Sequence, residues 1–200
     1  MVKTIEELKY EYRDYKEPIN KVHRLIKEGK LIPLIKGVYE TDNHADPYIL
    51  ARPIYGPSYI SFESALSYYG LIPERVYEIT SASLNKKRDK VFSNAFGRYT
   101  YKDIPERVYP YGVNLVKLND GTTYQIATKE KALCDKLYKL PPLHNYYELE
   151  NVLFDDLRID QDILSTFNLD DMKLYAEKYH STNVDMLYRY LRRNYKWSLY

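Results

Sequence analysis

The fold of the amino-terminal part is decided by residues 18–40, PINKVHRLIKEGKLIPLIKGVYE. Pro18 suits the first helical position, and Gly29 is the residue type favoured just past a helix end. Between them, the apolar residues recur at the spacing of one helix face: Ile19, Val22, Leu25 and Ile26. The pattern predicts an amphipathic helix over 18–28.

The segments on either side of this helix complete a small module. Downstream, Leu31–Leu34 and Val38–Glu40 are short β-rich runs around a Lys36-Gly37 turn, which indicates a hairpin. Upstream, Thr4 is the expected N-cap of a shorter helix. Helix, turn, helix and hairpin follow one another as in a winged helix-turn-helix, which we predict for residues 1–42. Only 17 residues precede Pro18, room for one helix where a full winged module usually has two, so a truncated form is expected.

Beyond the polar stretch 41–46 the pattern changes, and we place a domain boundary near residue 43. Three further helices are expected after the caps Asp46, Ser61 and Thr128. Four runs are typical of strands: Val76–Ser83, Arg98–Lys102, Asn114–Leu118 and Thr122–Ile126. The remainder is predicted to be helical, in three pieces. Residues 43–200 are therefore expected to form a mixed α/β domain, and the whole chain an α+β protein.

Composition narrows the class of protein. Hydrophobic residues make up 44% and charged residues 29% of the 200-residue chain, as in a globular protein. No apolar run approaches the roughly 18 residues of a membrane helix, and the first residues are too polar for a signal peptide. We expect a cytoplasmic location and no membrane partner. A single cysteine, Cys134, excludes a disulfide framework within the chain.

The basic face of the 18–28 helix is the strongest functional signal. On a helical wheel, Asn20, Arg24 and Lys27 lie opposite the apolar stripe, and Lys21 flanks them. Arginine and asparagine suit base edges in the major groove, whereas lysine neutralises phosphate. Lys36, at the hairpin turn, is placed to reach the adjacent backbone. These five residues are the predicted DNA-binding set, and an ordinary amphipathic helix with a solvated basic face is the alternative.

Two other basic groups form a secondary set. Lys86, Lys87 and Arg88 lie between strand-like runs, where a solvated loop is favoured over a phosphate-contacting one. Arg189, Arg192 and Arg193, with Lys196, lie opposite the apolar stripe of the last helix. That face either docks an acidic partner or only keeps the protein in solution.

No constellation for catalysis emerges from the sequence. The four histidines are scattered, none at the spacing of a helical zinc pair, and the seven glycines form no phosphate-binding motif. His23 is interpreted as a packing or capping residue rather than a base contact, and Cys134 as a packing residue. We therefore expect no enzymatic activity, no metal and no cofactor.

Four segments, in this order, resemble the AbiEi antitoxins of type IV toxin–antitoxin systems. They are EGKLIPLIKGVY at 28–39, DPYILA at 46–51, YISFESAL at 59–66 and IATKEKALCD at 126–135, so the resemblance covers roughly residues 15–140. It implies an antitoxin whose winged helix-turn-helix binds double-stranded operator DNA and represses its own operon. It also implies a partner, an AbiEii-type nucleotidyltransferase toxin encoded beside it.

Two other functions stay open on the sequence alone. The first is a protein-interaction module that docks the nucleotidyltransferase toxin without binding DNA. The second is an enzyme acting on nucleic acid, for which no acid/base or metal constellation is found.

Overall fold

The computed structural model describes residues 1–195, and these form an α+β fold. They contain nine α-helices, a three-stranded antiparallel sheet and a six-stranded mixed sheet. The predicted α+β class is confirmed. The division into domains at residue 43 stays a prediction.

The small sheet and two helices are built from the first 40 residues. The elements in chain order are β1 (Val2–Thr4), α1 (Ile5–Glu11), α2 (Pro18–Lys27), β2 (Ile32–Ile35) and β3 (Val38–Glu40). β3 lies in the middle of the sheet, antiparallel to both β1 and β2. The two helices and the hairpin are where the sequence predicts them, whereas β1 was not predicted.

Local chemistry explains where α1 and α2 begin. Thr4 caps α1 in a capping box, since its hydroxyl accepts from the Glu7 N–H at 3.3 Å while the Glu7 carboxylate accepts from the Thr4 N–H at 2.6 Å. Pro18 occupies the first turn of α2. Gly29, just past the end of α2, has a φ of 69°. Residues that carry a Cβ rarely adopt this conformation, whereas glycine adopts it readily.

The large sheet follows in the rest of the chain. Its strands are β4 (Ser58–Ile60), β5 (Glu78–Leu84), β6 (Lys90–Asn94), β7 (Gly97–Ile104), β8 (Val113–Lys117) and β9 (Thr123–Ala127). Their order across the sheet is β6-β7-β5-β4-β9-β8. β5–β7 and β4–β9 are parallel neighbours, and the other neighbours are antiparallel. Neither β4 nor β6 was predicted from the sequence.

Helices cover both faces of this sheet. α3 (Pro47–Ile54) lies on one face, where the hydroxyls of Tyr99 and Tyr101 donate to the carbonyls of Pro47 and Ala51 at 3.2 and 2.6 Å. α4 (Phe62–Tyr68) and α5 (Lys129–Tyr138) pack against each other and against the sheet.

The carboxy-terminal part is helical but more divided than expected. It holds α6 (Tyr146–Glu150), a π-helical turn (Asn151–Asp156), α7 (Gln161–Leu164), α8 (Leu169–Tyr179) and α9 (Thr182–Asn194). The prediction of three helical pieces is therefore wrong in number, because the Asp160 and Asn168 caps start new helices within the acidic stretch. α8 and α9 pack on α5.

The apolar interior has two parts. A small cluster of Leu8, Val22, Leu25 and Leu31 holds α1 and α2 together. The main core lies around the large sheet and includes Leu34 of β2. The Leu34 carbonyl also accepts from the Asn94 side chain at 3.3 Å, so β2 joins the first 40 residues to the large sheet.

Candidate nucleic-acid interface

The α2 helix divides its side chains between a buried face and an exposed one. Val22 and Leu25 are buried in the small cluster. Asn20, Arg24 and Lys27 are exposed, as the helical wheel predicts. The polar face of α2 is therefore not covered by any other described part of the chain.

Carboxylates of the two residues that flank α2, Glu17 and Glu28, contact two residues of this face. The Asn20 amide donates to the Glu17 carboxylate. The Arg24 Nε lies 3.4 Å from the Glu28 Oε1, and the Arg24 side chain remains 61% exposed. Both pairs are local and solvated, so another partner is able to compete for these groups.

Lys21 packs against the connector between α1 and α2. Its ammonium lies 5.8 Å from the ring centre of Tyr12 and 5.1 Å from that of Tyr15. These distances are typical of cation–π contacts, which leave the ammonium hydrogens available to an acceptor. Tyr15 is 50% exposed beside it. These contacts of Lys21 with Tyr12 and Tyr15 were not predicted from the sequence. The tyrosines lie close to the basic helix in the sequence, and that proximity could have indicated them.

The hairpin turn that carries Lys36 is short. Ile35 pairs with Val38, so the loop consists of Lys36 and Gly37 alone. Gly37 has a φ of 82°, and its carbonyl accepts from the Ile5 N–H at 2.8 Å. The turn is thereby fixed against the start of α1, while the Lys36 side chain is exposed. The hairpin exists as predicted, but no long loop extends from it.

The second basic group lies between β5 and β6. The backbone N–H groups of Lys86 and Lys87 each donate to the Asp103 carboxylate at 3.0 Å. The Lys86 ammonium lies 4.7 Å from the Tyr55 ring centre, whereas Lys87 and Arg88 are exposed. The segment is a fixed loop, and no described contact joins it to α2.

The third basic group lies on α9. Arg189, Arg192 and Arg193 are exposed, as expected. The Arg189 guanidinium pairs with Asp185 at 2.8 Å, and that of Arg192 lies 5.7 Å from the Tyr188 ring centre. Lys196, expected on the same face, lies outside the described residues.

The two residues interpreted as packing residues have different environments. Cys134 is fully buried in α5, and its sulfur lies 3.9 Å from that of Met172, so the interpretation is confirmed. His23 is exposed, so it is not a packing residue. It lies one position past the buried Val22, which rotates its side chain away from the small cluster.

Sequence reasoning missed a polar network inside the main core. The Lys131 ammonium, fully buried, donates to the Asp135 carboxylate at 2.7 Å and to the hydroxyls of Tyr59 and Tyr179 at 2.7 and 2.6 Å. Ser61 and both tyrosines in turn donate to Asp135. Burial lowers the pKa of Lys131, and the Asp135 carboxylate opposes this effect.

The same network perturbs its tyrosines. Burial raises the pKa values of Tyr59 and Tyr179 well above their usual range, and the Asp135 charge adds to the effect. Both hydroxyls therefore stay protonated and act as donors. With every member hydrogen-bonded, the network ties β4, α5 and α8 together.

Neither a membrane-spanning helix nor a metal-binding cluster accompanies these groups in the described residues. In the described part of the chain, no helix is both long and apolar enough to cross a bilayer. Across residues 1–195, no three His, Cys, Asp or Glu side chains are grouped so as to hold a metal ion. No protein-family model matches the sequence, and no curated protein matches it significantly. The resemblance to the AbiEi antitoxins stays a prediction.

Proposed function

We propose that residues 1–42 act as a truncated winged helix-turn-helix that binds double-stranded DNA, with α2 as the recognition helix. The arrangement of elements supports this proposal. α1 and α2 pack on each other over a small apolar cluster, and β2 and β3 follow α2 as a hairpin. β1 pairs with β3 and widens the hairpin to three strands.

The observation that carries the proposal is the exposed polar face of α2. Arg24 offers the forked donors that match guanine, and the Asn20 amide matches adenine. Lys21, Lys27 and Lys36 supply the positive charge that phosphates require.

The pairs that Asn20 and Arg24 already make do not prevent this role. An exposed ion pair such as Arg24–Glu28 contributes about 0–1 kcal/mol. A bidentate contact to a base is worth about 1–3 kcal/mol of discrimination. A base contact is therefore strong enough to replace the Arg24–Glu28 pair.

By the resemblance to the AbiEi antitoxins, the DNA would be the protein's own operator, and binding would repress its own operon. The chain would also act as an antitoxin against an AbiEii-type nucleotidyltransferase toxin. The second role has no assigned surface, because the resemblance ends near residue 140.

Fluorescence anisotropy with a labelled duplex tests the DNA-binding proposal. The duplex is taken from upstream of the protein's own gene, and a scrambled duplex of equal length serves as reference. Arg24→Ala should weaken binding roughly 5- to 150-fold and reduce the preference for the upstream sequence. Lys27→Ala should weaken binding to both duplexes and lower the salt slope by about 1.

Lys173→Ala is the matched control, since Lys173 is exposed on α8, away from α2. It should bind like the original protein. If neither Arg24→Ala nor Lys27→Ala weakens binding, the recognition helix is misassigned.

A module that docks the toxin without binding DNA is the second candidate. The two-residue turn at Lys36 favours this second candidate. The turn is bonded to the start of α1 and is too short to extend along a DNA backbone as a wing does. Co-purification of the adjacent gene product with a protein that fails to bind the upstream duplex would support this candidate.

A further inference from the structure

A cavity lies where two parallel strands of the large sheet separate. β4 and β9 pair only at Ile60 and Ile126. On the amino-terminal side of this point, α3 and the two strands enclose a space of about 210 Å³. A cavity of about 150 Å³ is enough to hold benzene, so this space accepts a molecule built on one small ring.

One wall of the cavity carries a buried hydroxyl with no partner. Ser58 is 1% exposed, and its Oγ makes no hydrogen bond in the described part of the chain. It shares the face of β4 that carries Ile60, opposite the face from which Tyr59 reaches the Lys131 network. Because this oxygen is itself closed to the cavity, the hydroxyl marks a polar wall but offers no hydrogen bond to a molecule inside.

The mouth of the cavity carries a positive charge. Arg52, on α3, is the one charged residue among those that line the cavity. Its Nη1 donates to the Gln125 side chain at 3.3 Å, and no carboxylate of residues 1–195 lies within ion-pair distance of it. An exposed guanidinium with free donors is well suited to a carboxylate.

The remaining walls are mostly aromatic or apolar. Tyr48 and Tyr124 meet edge to face, with ring centres 5.4 Å apart, and Ile49 and Leu115 lie beside them. This lining suits a flat apolar body rather than a sugar or a nucleotide, which would bring more polar groups than the walls can pair.

We propose that this cavity binds a small organic carboxylate with about one ring of apolar body. The carboxylate pairs with Arg52 at the mouth, and the body lies between α3 and β9. No residue of α2 lines this cavity, so the proposal does not depend on DNA binding.

Isothermal titration of the full-length protein with benzoate, followed by amide chemical-shift mapping, tests the proposal. Benzoate should bind and shift the amide signals of α3, β4 and β9. Benzamide, which has the same shape without the charge, should bind roughly 10-fold more weakly. Absence of benzoate binding at millimolar concentration, or equal binding of benzamide, overturns the proposal.

A pair of matched variants locates the site. Arg52→Gln should weaken benzoate binding roughly 10-fold or more, whereas Arg75→Gln, at another exposed arginine, should not.

Undiminished affinity of Arg52→Gln overturns the proposal, because Arg52 supplies its charge. The Arg52 side chain is exposed, so this substitution should leave the thermal midpoint of the free protein nearly unchanged.

Discussion

Lys131 and Asp135 are four residues apart on α5, a spacing that on an exposed helix face would make an ordinary surface ion pair. Here both side chains are fully buried, and the ammonium has three partners. A buried charge is costly unless it is paired, so each member of the network depends on the others.

Asp135→Asn should therefore lower the free energy of unfolding by about 3–5 kcal/mol, since it leaves the Lys131 ammonium buried without its counter-charge. Urea denaturation measures this. Asp89→Asn is the control, because it breaks the exposed pair of Asp89 with Lys139 and should cost less than about 1 kcal/mol. An Asp135→Asn protein as stable as Asp89→Asn would show that Lys131 adapts without its partner.

Protonation of the Glu63 carboxylate makes the stability of the folded protein depend on pH. Burial raises the pKa of Glu63, but the Lys136 ammonium that donates to it has the larger combined effect, so the pKa lies below the usual 4.5. Its contribution to stability is fully present above the unfolded pKa and is lost as the pH falls through the lower folded value.

Glu63→Gln should consequently flatten the loss of stability between about pH 5 and pH 3. Denaturation curves across this range measure the difference between the two proteins. Glu6→Gln is the control for removing a carboxylate at an exposed position, on α1. Identical slopes for Glu63→Gln and the original protein would contradict the assigned role of Lys136.

At the scale of one element, α2 combines a basic face with two carboxylates of its own. Glu17 accepts from Asn20 and Glu28 lies near Arg24, so both acids lower the positive potential that DNA would meet. The sequence predicted the helix and its polar face correctly, because apolar spacing and the flanking proline and glycine agree. Of the predicted apolar stripe, Val22 and Leu25 are buried, whereas Ile19 is exposed. The sequence did not predict how far the polar face is already paired.

Glu17→Gln should raise affinity for the upstream duplex roughly 2- to 10-fold, because it removes a charge that repels phosphate. Fluorescence anisotropy at low salt measures this, and the gain should shrink as salt rises. Asp14→Asn, in the connector before α2, is the comparison for a charge change outside the helix. Weaker binding by Glu17→Gln would indicate that Glu17 itself orders the interface.

On the scale of the whole molecule, the sequence predicted the long helices and the hairpins but missed β1, β4 and β6. β1 and β4 have three residues each, too few to show an alternating pattern. β6, at the edge of the large sheet, begins with the exposed Lys90 and Val91 and shows no clear alternation of buried and exposed residues. The exposure of Asn20, Arg24 and Lys27 was predictable, because polar residues on one helix face leave a periodic signal, and their binding to DNA stays a prediction. The Lys131 network and the Ser58 cavity were not predictable, since both depend on contacts between distant segments.

The central claim is that the exposed face of α2 enters a DNA duplex. Attaching a photoactivatable azide through Lys27→Cys tests it directly, because the native Cys134 is fully buried and should not react. The account predicts strong crosslinking to the upstream duplex from position 27 and none from Lys173→Cys on α8. Equal crosslinking from the two positions, or a bound duplex that position 27 never reaches, would contradict it.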